Sequence, residues 1–527
     1  MWENLDVNSK NKYKELIIKF ASLSEAFTQK NDNSKIVTPI VNSKFQETVF
    51  QSSFNAIGED IANTSFDASL IVDEQNKYLV GIKSFGKESG AQKIAQFKSS
   101  SASQGWGEIF LKISETAKKF NNKQEADIAN HDNYLKLATE ISKLRNIRIE
   151  SHKEQIRGFN GNSTNVSSVY HVLMPSTKDG LPKIHVGETS YSPIDINNIV
   201  IQGCTNLKNP TNFNFTDGIH NYRYTSSDSQ LYMIFDNNNI IVETWPIKYV
   251  KNPLKVFENI ELSSSLKRDD SILESYSWVI YKENGTIYEN SGFNSFDGRP
   301  KAPSRSREKR INKILTKYKS DLSDDQYQYV SSTLNQLIFD KSLNSKDYKK
   351  IRSKFLNNIN TFGSIKLVED IKSFILRPKK EVYIPLPSSK KFHTNNPDFF
   401  GKDIGLFKDD GKTLKLNKED RVFQLEFLAS GEIIKAFISQ ESGKAIQSYE
   451  SQQIMGEWIL HKVFQLKDRE LLTKNKLLEL GINGIRLIKF KDPNKPIGIE
   501  FIWIDIENPP KDSIDWVAKN IKHSDGE

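Results

Sequence analysis

Apolar residues change their spacing several times along the chain, and each change predicts a different kind of element. In the segment 13–21, Leu16, Ile17, Phe20 and Ala21 fall on one face at helical spacing. Residues three and four apart share a face of a 3.6-residue turn, so an amphipathic helix is expected. Phe45, Val49, Phe54 and Ile57 repeat the pattern and predict a second helix over 44–62. Two short apolar runs, 65–72 and 78–85, then flank the polar turn 73–77, which reads as a hairpin. From Ala91 the spacing turns helical again. One long helix is expected over 123–157, with Leu137, Ile141 and Leu144 on its buried face.

Past Gly161 the character shifts to short runs rich in Asn, Thr, Tyr and Ile with frequent turn residues, so strands are expected over 169–255 and at 277–281. Residues 298–320 hold nine basic residues against one acid, and helical spacing continues to about Ile371. Alternating strands resume from about Arg377. These shifts divide the chain at 1–165, 166–297, 298–376, 377–510 and a tail at 511–527. A length of 527 residues accommodates roughly three to four domains of ~150 residues.

Composition narrows the class. Hydrophobic residues at 37% and 31 Phe supply real cores, and no apolar run reaches the ~18 residues of a membrane span. The polar N-terminus has no apolar core of a signal peptide, and a lone cysteine, Cys204, excludes an internal disulfide framework or a cysteine zinc cluster. A cytoplasmic protein without membrane contact is expected. Lys and Arg exceed Asp and Glu by 74 to 66, a net +8, which permits a polyanionic partner without requiring one.

The most specific motifs lie near the C-terminus. Val382-Tyr383-Ile384-Pro385-Leu386-Pro387, then Gly443-Lys444-Ala445-Ile446, then Gly456-Glu457-Trp458 follow one another in order. This succession resembles the recognition domain of type II restriction endonucleases, a relative of the plant B3-type DNA-binding pseudobarrel, over about residues 377–506. The resemblance implies a small β-pseudobarrel that grips the DNA major groove with two arms. By position these are 388–400 and 440–453. They carry Lys390, His393, Asn395 and Asn396, then Gln440, Ser442, Lys444, Gln447, Tyr449 and Gln453. Lysine suits guanine, and Asn or Gln suits adenine. Arg305, Arg307 and Arg310 of the basic stretch are candidates for phosphate contact, which positions without specifying sequence.

A recognition domain of this type implies an attached nuclease. No His-x-Lys triplet occurs, so phospholipase-D-like chemistry is not expected. The strand pair at 168–172 and 183–189, with Tyr170 and His185, faintly resembles the GIY-YIG nucleases but lacks their following helical arginine. The hairpin at 65–85 weakly resembles PD-(D/E)xK nucleases. There an acid at the start of one strand and an acid-x-Lys on the next bind magnesium and orient water. Asp67 would be the first acid and Lys83 the lysine, with Glu59 as a further metal ligand. Gly81 stands where the second acid belongs, so Glu59 or Glu88 would complete the site. Gln92 and Gln96, on the expected following helix, could touch the substrate.

The expected protein is a multidomain α/β plus β chain. It has a restriction-endonuclease-like α/β core, a β-rich extension, a basic helical connector and a B3-like β-pseudobarrel. As a restriction endonuclease it would hydrolyse double-stranded DNA with Mg2+, with a cognate DNA methyltransferase as genetic partner. The alternatives are a non-catalytic DNA-binding regulator and a modification-dependent nuclease that reads methylated bases. Recognition sequence, cleavage position and oligomeric state stay open.

Overall fold

Strand Asn76–Ser84 runs parallel to strand Asn165–Ser176, and that pair organises the first half of the chain. The computed structural model describes residues 1–27, 36–58, 66–73, 75–159, 165–260, 271–288, 292–300, 304–450 and 452–521. The chain divides into two compact units. Met1–Val279, Leu425–Ile433 and Lys474–Glu527 form the first, and Ile280–Gln424 with Ile434–Thr473 form the second. It is a mixed α/β protein whose described strands form three sheets, of six, five and seven strands, none closed into a barrel. Among the described residues no helix is long and apolar enough to cross a membrane.

In the first unit the six-stranded sheet runs Ile57–Gly58, Ala68–Ile71, Asn76–Ser84, Asn165–Ser176, Lys183–Ser190, Ile241–Pro246. The strand alternation sorts its residues to two faces. Tyr78, Val80 and Ile82 pack with Tyr13 and Ile17 of helix Val7–Ala21 and with Val49 and Phe50 of helix Ser43–Phe54. Leu79, Tyr170, Val172 and Met174 pack on the other side with Tyr134, Leu137 and Ile141 of helix Lys123–Arg157. Both faces are covered, which is why these strands read as near-continuous apolar runs.

The long helix forms over the expected range, with Asn122 accepting from Gln124 N–H at its start. The second helix is shorter than its spacing predicts. It ends at Phe54 because Asn55 turns left-handed, at φ 52°, and Ile57–Gly58 enters the sheet. The helix expected from Ala91 begins instead with a strand, Ala91–Gln96, in the five-stranded sheet. Its residues are good helix formers, but antiparallel pairing with Gln230–Ile234 decides the conformation. Helices Lys98–Ser103 and Trp106–Ala117 follow.

The expected division at 165/166 falls inside the six-stranded sheet, between a helix and the strand it delivers. Strand Ile272–Val279, expected in the β-rich extension, pairs with Gly484–Phe490. Within the first unit the third sheet continues through Ile497–Ile502 to Leu425–Phe427. Within the second unit its residues 436–439 pair with Ala445–Ser448, and these with Ile384–Pro385. The basic stretch is helical, as expected. Ser304–Lys317 packs with Asp324–Phe339, Ser345–Asn360 and Ile365–Ile375 around Ile314, Leu334, Phe355 and Ile371.

Two histidines lie deep in the first unit. His171 is fully buried, stacked on Trp2 with ring centroids 5.3 Å apart, its Nε2 3.1 Å from Tyr13 Oη. His152 lies on the long helix, edge-on to Phe66. Burial pushes both down to about 3. An unfolded histidine takes a proton near its ordinary ~6.5, whereas the folded ring refuses it. The stability that the neutral rings carry is therefore complete above that pH and is lost as pH falls toward 3. Urea denaturation at pH 7, 6 and 5 should show stability falling with acid. In His171→Phe the slope between pH 6 and 4 should be shallower by up to one proton, ~1.4 kcal/mol per pH unit.

Candidate active site and candidate nucleic-acid interface

Asp67 and Lys83 meet at the edge of the hairpin. Asp67 N–H donates to Val80 O at 2.9 Å, and its Oδ2 accepts the Ile82 N–H at 2.6 Å. The side chain thus takes over where the ladder ends, and the carboxylate is fixed by the backbone of the next strand. Lys83 Nζ lies 3.5 Å from the same oxygen, both side chains being about 30% exposed. Strand period places Lys83 and Gly81 on the face that carries Leu79, toward the long helix.

Gly81 has a steric cause. A Cβ at this position would come within 2.5 Å of the Tyr170 ring, on the neighbouring parallel strand. The Tyr170 hydroxyl accepts from Arg145 Nη2 at 2.8 Å, and the ring lies 4.3 Å from that of Tyr191. Arg145 comes from the long helix, is 2% exposed, and sits 5.2 Å over Tyr191. Burial raises the Tyr170 hydroxyl, against the pull of Arg145 and Lys83. An acid at position 81 therefore has no room while Tyr170 keeps this place.

Other expected residues separate from this pair. Glu59 lies outside the described residues. Glu88 points to solvent and pairs with Lys178 at 3.4 Å. Gln92 and Gln96 belong to a strand, where they donate to Ser89 Oγ and Asp228 O. Among the described residues no three His, Cys, Asp or Glu side chains gather as a metal site. Tyr170 and His185 are not brought together by their strands: Tyr170 faces Thr189, and His185 faces Met174.

In the second unit residues of segments 388–400 and 440–453 come together. Helix Ser389–Asn395 and the turn before strand Ala445–Ser448 line one pocket of about 700 Å3. Lys390, Asn395 and Lys444 line it, and so does Lys391, which the sequence reading did not single out. The arms are held by backbone and by one histidine. Leu386 N–H donates to Lys444 O at 2.9 Å, and His393 Nε2 donates to Gly443 O at 2.9 Å.

His393 is fully buried and offers no exposed edge to a base, and burial lowers its affinity for a proton. Gly443 adopts φ 67°, and a Cβ there would stand 2.5 Å from His393 Nε2. Gln447 is also excluded from the surface, 4% exposed in its strand opposite Phe437. Asn396 is half-buried and donates to Phe392 O at 3.1 Å. Gln440 gives its carbonyl to Arg421 at 2.7 Å and lines a different pocket, with Arg299 and Arg307. Ser442 is half-buried and its carbonyl accepts from Ser389 Oγ. Tyr449 and Gln453 are exposed, with Lys435 Nζ 4.8 Å over the Tyr449 ring.

Two arginines of the basic helix bond to neighbouring helices. Arg307 donates to Ile338 O in the last turn of its neighbour. Arg310 reaches Ser373 O and Oγ and lies 5.3 Å over Phe374. Cations at helix C-termini answer exposed carbonyls, so both arginines have a packing role. The Arg305 side chain lies outside the described part.

Gly81→Ala should destabilise the protein by about 1–3 kcal/mol through overpacking on Tyr170. Combined with Tyr170→Ala, the added cost of Gly81→Ala should shrink, a non-additivity that thermal or urea unfolding of the four proteins measures.

No family model matches the chain, and no curated protein matches it.

Proposed function

We propose that the chain is a metal-dependent endonuclease that cuts double-stranded DNA at or near a short sequence, in the manner of a restriction endonuclease. The observation that carries this reading is the Asp67–Lys83 pair on adjacent strands, with the carboxylate held by the Ile82 N–H. Phosphodiester hydrolysis needs a fixed anion to hold a hard cation and a cationic donor beside the attacking water.

The donor set suits magnesium, which is commonly held by one or two carboxylates together with substrate phosphate oxygens. Asp67 would hold the ion, and the bound ion would offset charge on the scissile phosphate. Lys83 orients the attacking water and stabilises its developing negative charge. Asp67 keeps Lys83 in place through their ion pair. Tyr170, held by Arg145, keeps the face of the hairpin rigid beside Gly81. In the second unit Lys390, Asn395 and Lys444 present donors suited to DNA, and a cognate methyltransferase would protect the same site.

One observation favours a second reading, a DNA-binding regulator without catalysis. The Tyr170 ring fills the space over Gly81 that a second carboxylate would need. Plasmid incubation with magnesium separates the two: discrete fragments support the nuclease, and bound but intact DNA supports the regulator.

Asp67→Ala and Lys83→Ala should each lower cleavage by about a hundred- to ten-thousandfold. Specific DNA binding, followed by filter binding, should stay within about twofold, because the recognition residues lie in the other unit. EDTA should stop cleavage by the wild-type chain, and added magnesium should restore it. Cutting at the wild-type rate by both variants would move the active site away from this hairpin.

Phosphate contact is tested by salt. The Lys390→Ala/Lys444→Ala protein should show a slope of log K against log salt that is shallower by about 0.9 per lost phosphate contact. Arg310→Ala should leave that slope unchanged and lower unfolding stability instead, by about 0.5–1.5 kcal/mol for its lost hydrogen bonds.

A further inference from the structure

The pocket between the two arms has a chemistry that groove contact does not use. Its walls include Pro385, Pro387 and Tyr288, and its rim carries Lys390, Lys391 and Lys444 with the amide of Asn395. No acidic residue lines it. None of the three lysines has an ion-pair partner among the described residues, although many lysines elsewhere in the chain do. A volume of about 700 Å3 lies within the roughly 300–1,000 Å3 of small-ligand sites, far above the space one phosphate needs. Prolines stiffen one wall, and the Leu386–Lys444 and His393–Gly443 hydrogen bonds hold the two arms at a set separation.

We propose that this pocket takes a single nucleotide of bound DNA, rotated out of the helix, with its phosphate on the lysines and its base against the prolines and Tyr288. The apolar wall beside a cationic rim matches a ligand that is flat and apolar at one end and dianionic or anionic at the other. Asn395 supplies both a donor and an acceptor for a base edge. Rotating a nucleotide out costs unstacking and unpairing, and that cost is smallest where the base has no partner. The inference rests on the DNA-binding reading and adds a substrate form to it.

The probe is 2-aminopurine deoxyriboside 5′-monophosphate, titrated by fluorescence against the full chain. It should bind at least about tenfold more tightly than the same nucleoside without phosphate, as expected for charge-assisted hydrogen bonds. Lys390→Ala/Lys444→Ala should remove that advantage, and Thr394→Trp, at an exposed position on the pocket wall, should block the nucleoside itself. Circular dichroism should show both variants folded. A duplex with one base opposite an abasic site should displace the probe better than its fully paired counterpart. Equal binding of nucleoside and monophosphate, or indifference to both variants, overturns the assignment. If duplexes bind without displacing the probe, DNA binding stands and this pocket assignment falls. If the probe binds and no DNA does, the DNA-binding reading itself falls, and the pocket takes a free nucleotide instead.

Discussion

Parallel pairing of Asn76–Ser84 with Asn165–Ser176 is the constraint from which the rest of the first unit follows. Two parallel neighbours cannot be joined by a tight turn, so the chain must leave the sheet, cross one face and return. The crossover holds the 35-residue helix, whose apolar side covers that face and whose Arg145 reaches the Tyr170 hydroxyl. The register of the pair then sets Gly81 against Tyr170. Asp67 and Lys83 inherit their positions from the same strand, one through the Ile82 N–H and the other by alternation. A slip of one residue would turn Lys83 to the opposite face, among Val80 and Ile82, and dissolve the pair.

Much of this was legible in the residues. The long helix, the hairpin and the helical region after Arg299 carry local periodicity, and the structure forms helix and hairpin there, the last region as four separate helices. Asp67 and Lys83 were findable because strand period and turn position are local. The boundary error at Ala91 has the opposite cause: Ala91–Gln96 has helix-forming residues, and its conformation is decided by a strand more than a hundred residues away. Gly81 was visible only as a departure from a motif. Its reason, the Tyr170 ring, comes from a non-local pairing. Arg145 gave no signal at all, since one arginine of three on a long polar helix reads as solvated until the helix is known to be buried on several sides.

The second unit shows the same limit in another form. His393 and Gln447 have the right chemistry for reading bases and sit in the right segments, yet both point inward. Loop composition gives candidates, and only burial sorts them. His393 instead joins the two arms, and the lysines it brings near each other are the ones that remain exposed. Arg307 and Arg310 follow the same logic: a basic run gives candidates for polyanion contact, and two of its donors go to the carbonyls of neighbouring helix ends.

The way the units are threaded has a consequence for synthesis. Strand Ile272–Val279 lies in the first unit, but its ladder partner is Gly484–Phe490, and Ser277 also bonds to the backbone of Asp512 and Ile514. A ribosome adding ~5–20 residues per second needs about ten to forty seconds between making the strand and making its partner. The second unit, complete once Thr473 has emerged, can close during that interval. The unit begun first is thus finished last, and for that time an apolar strand edge has its backbone groups open to any other strand, on the same polysome or on a neighbouring chain.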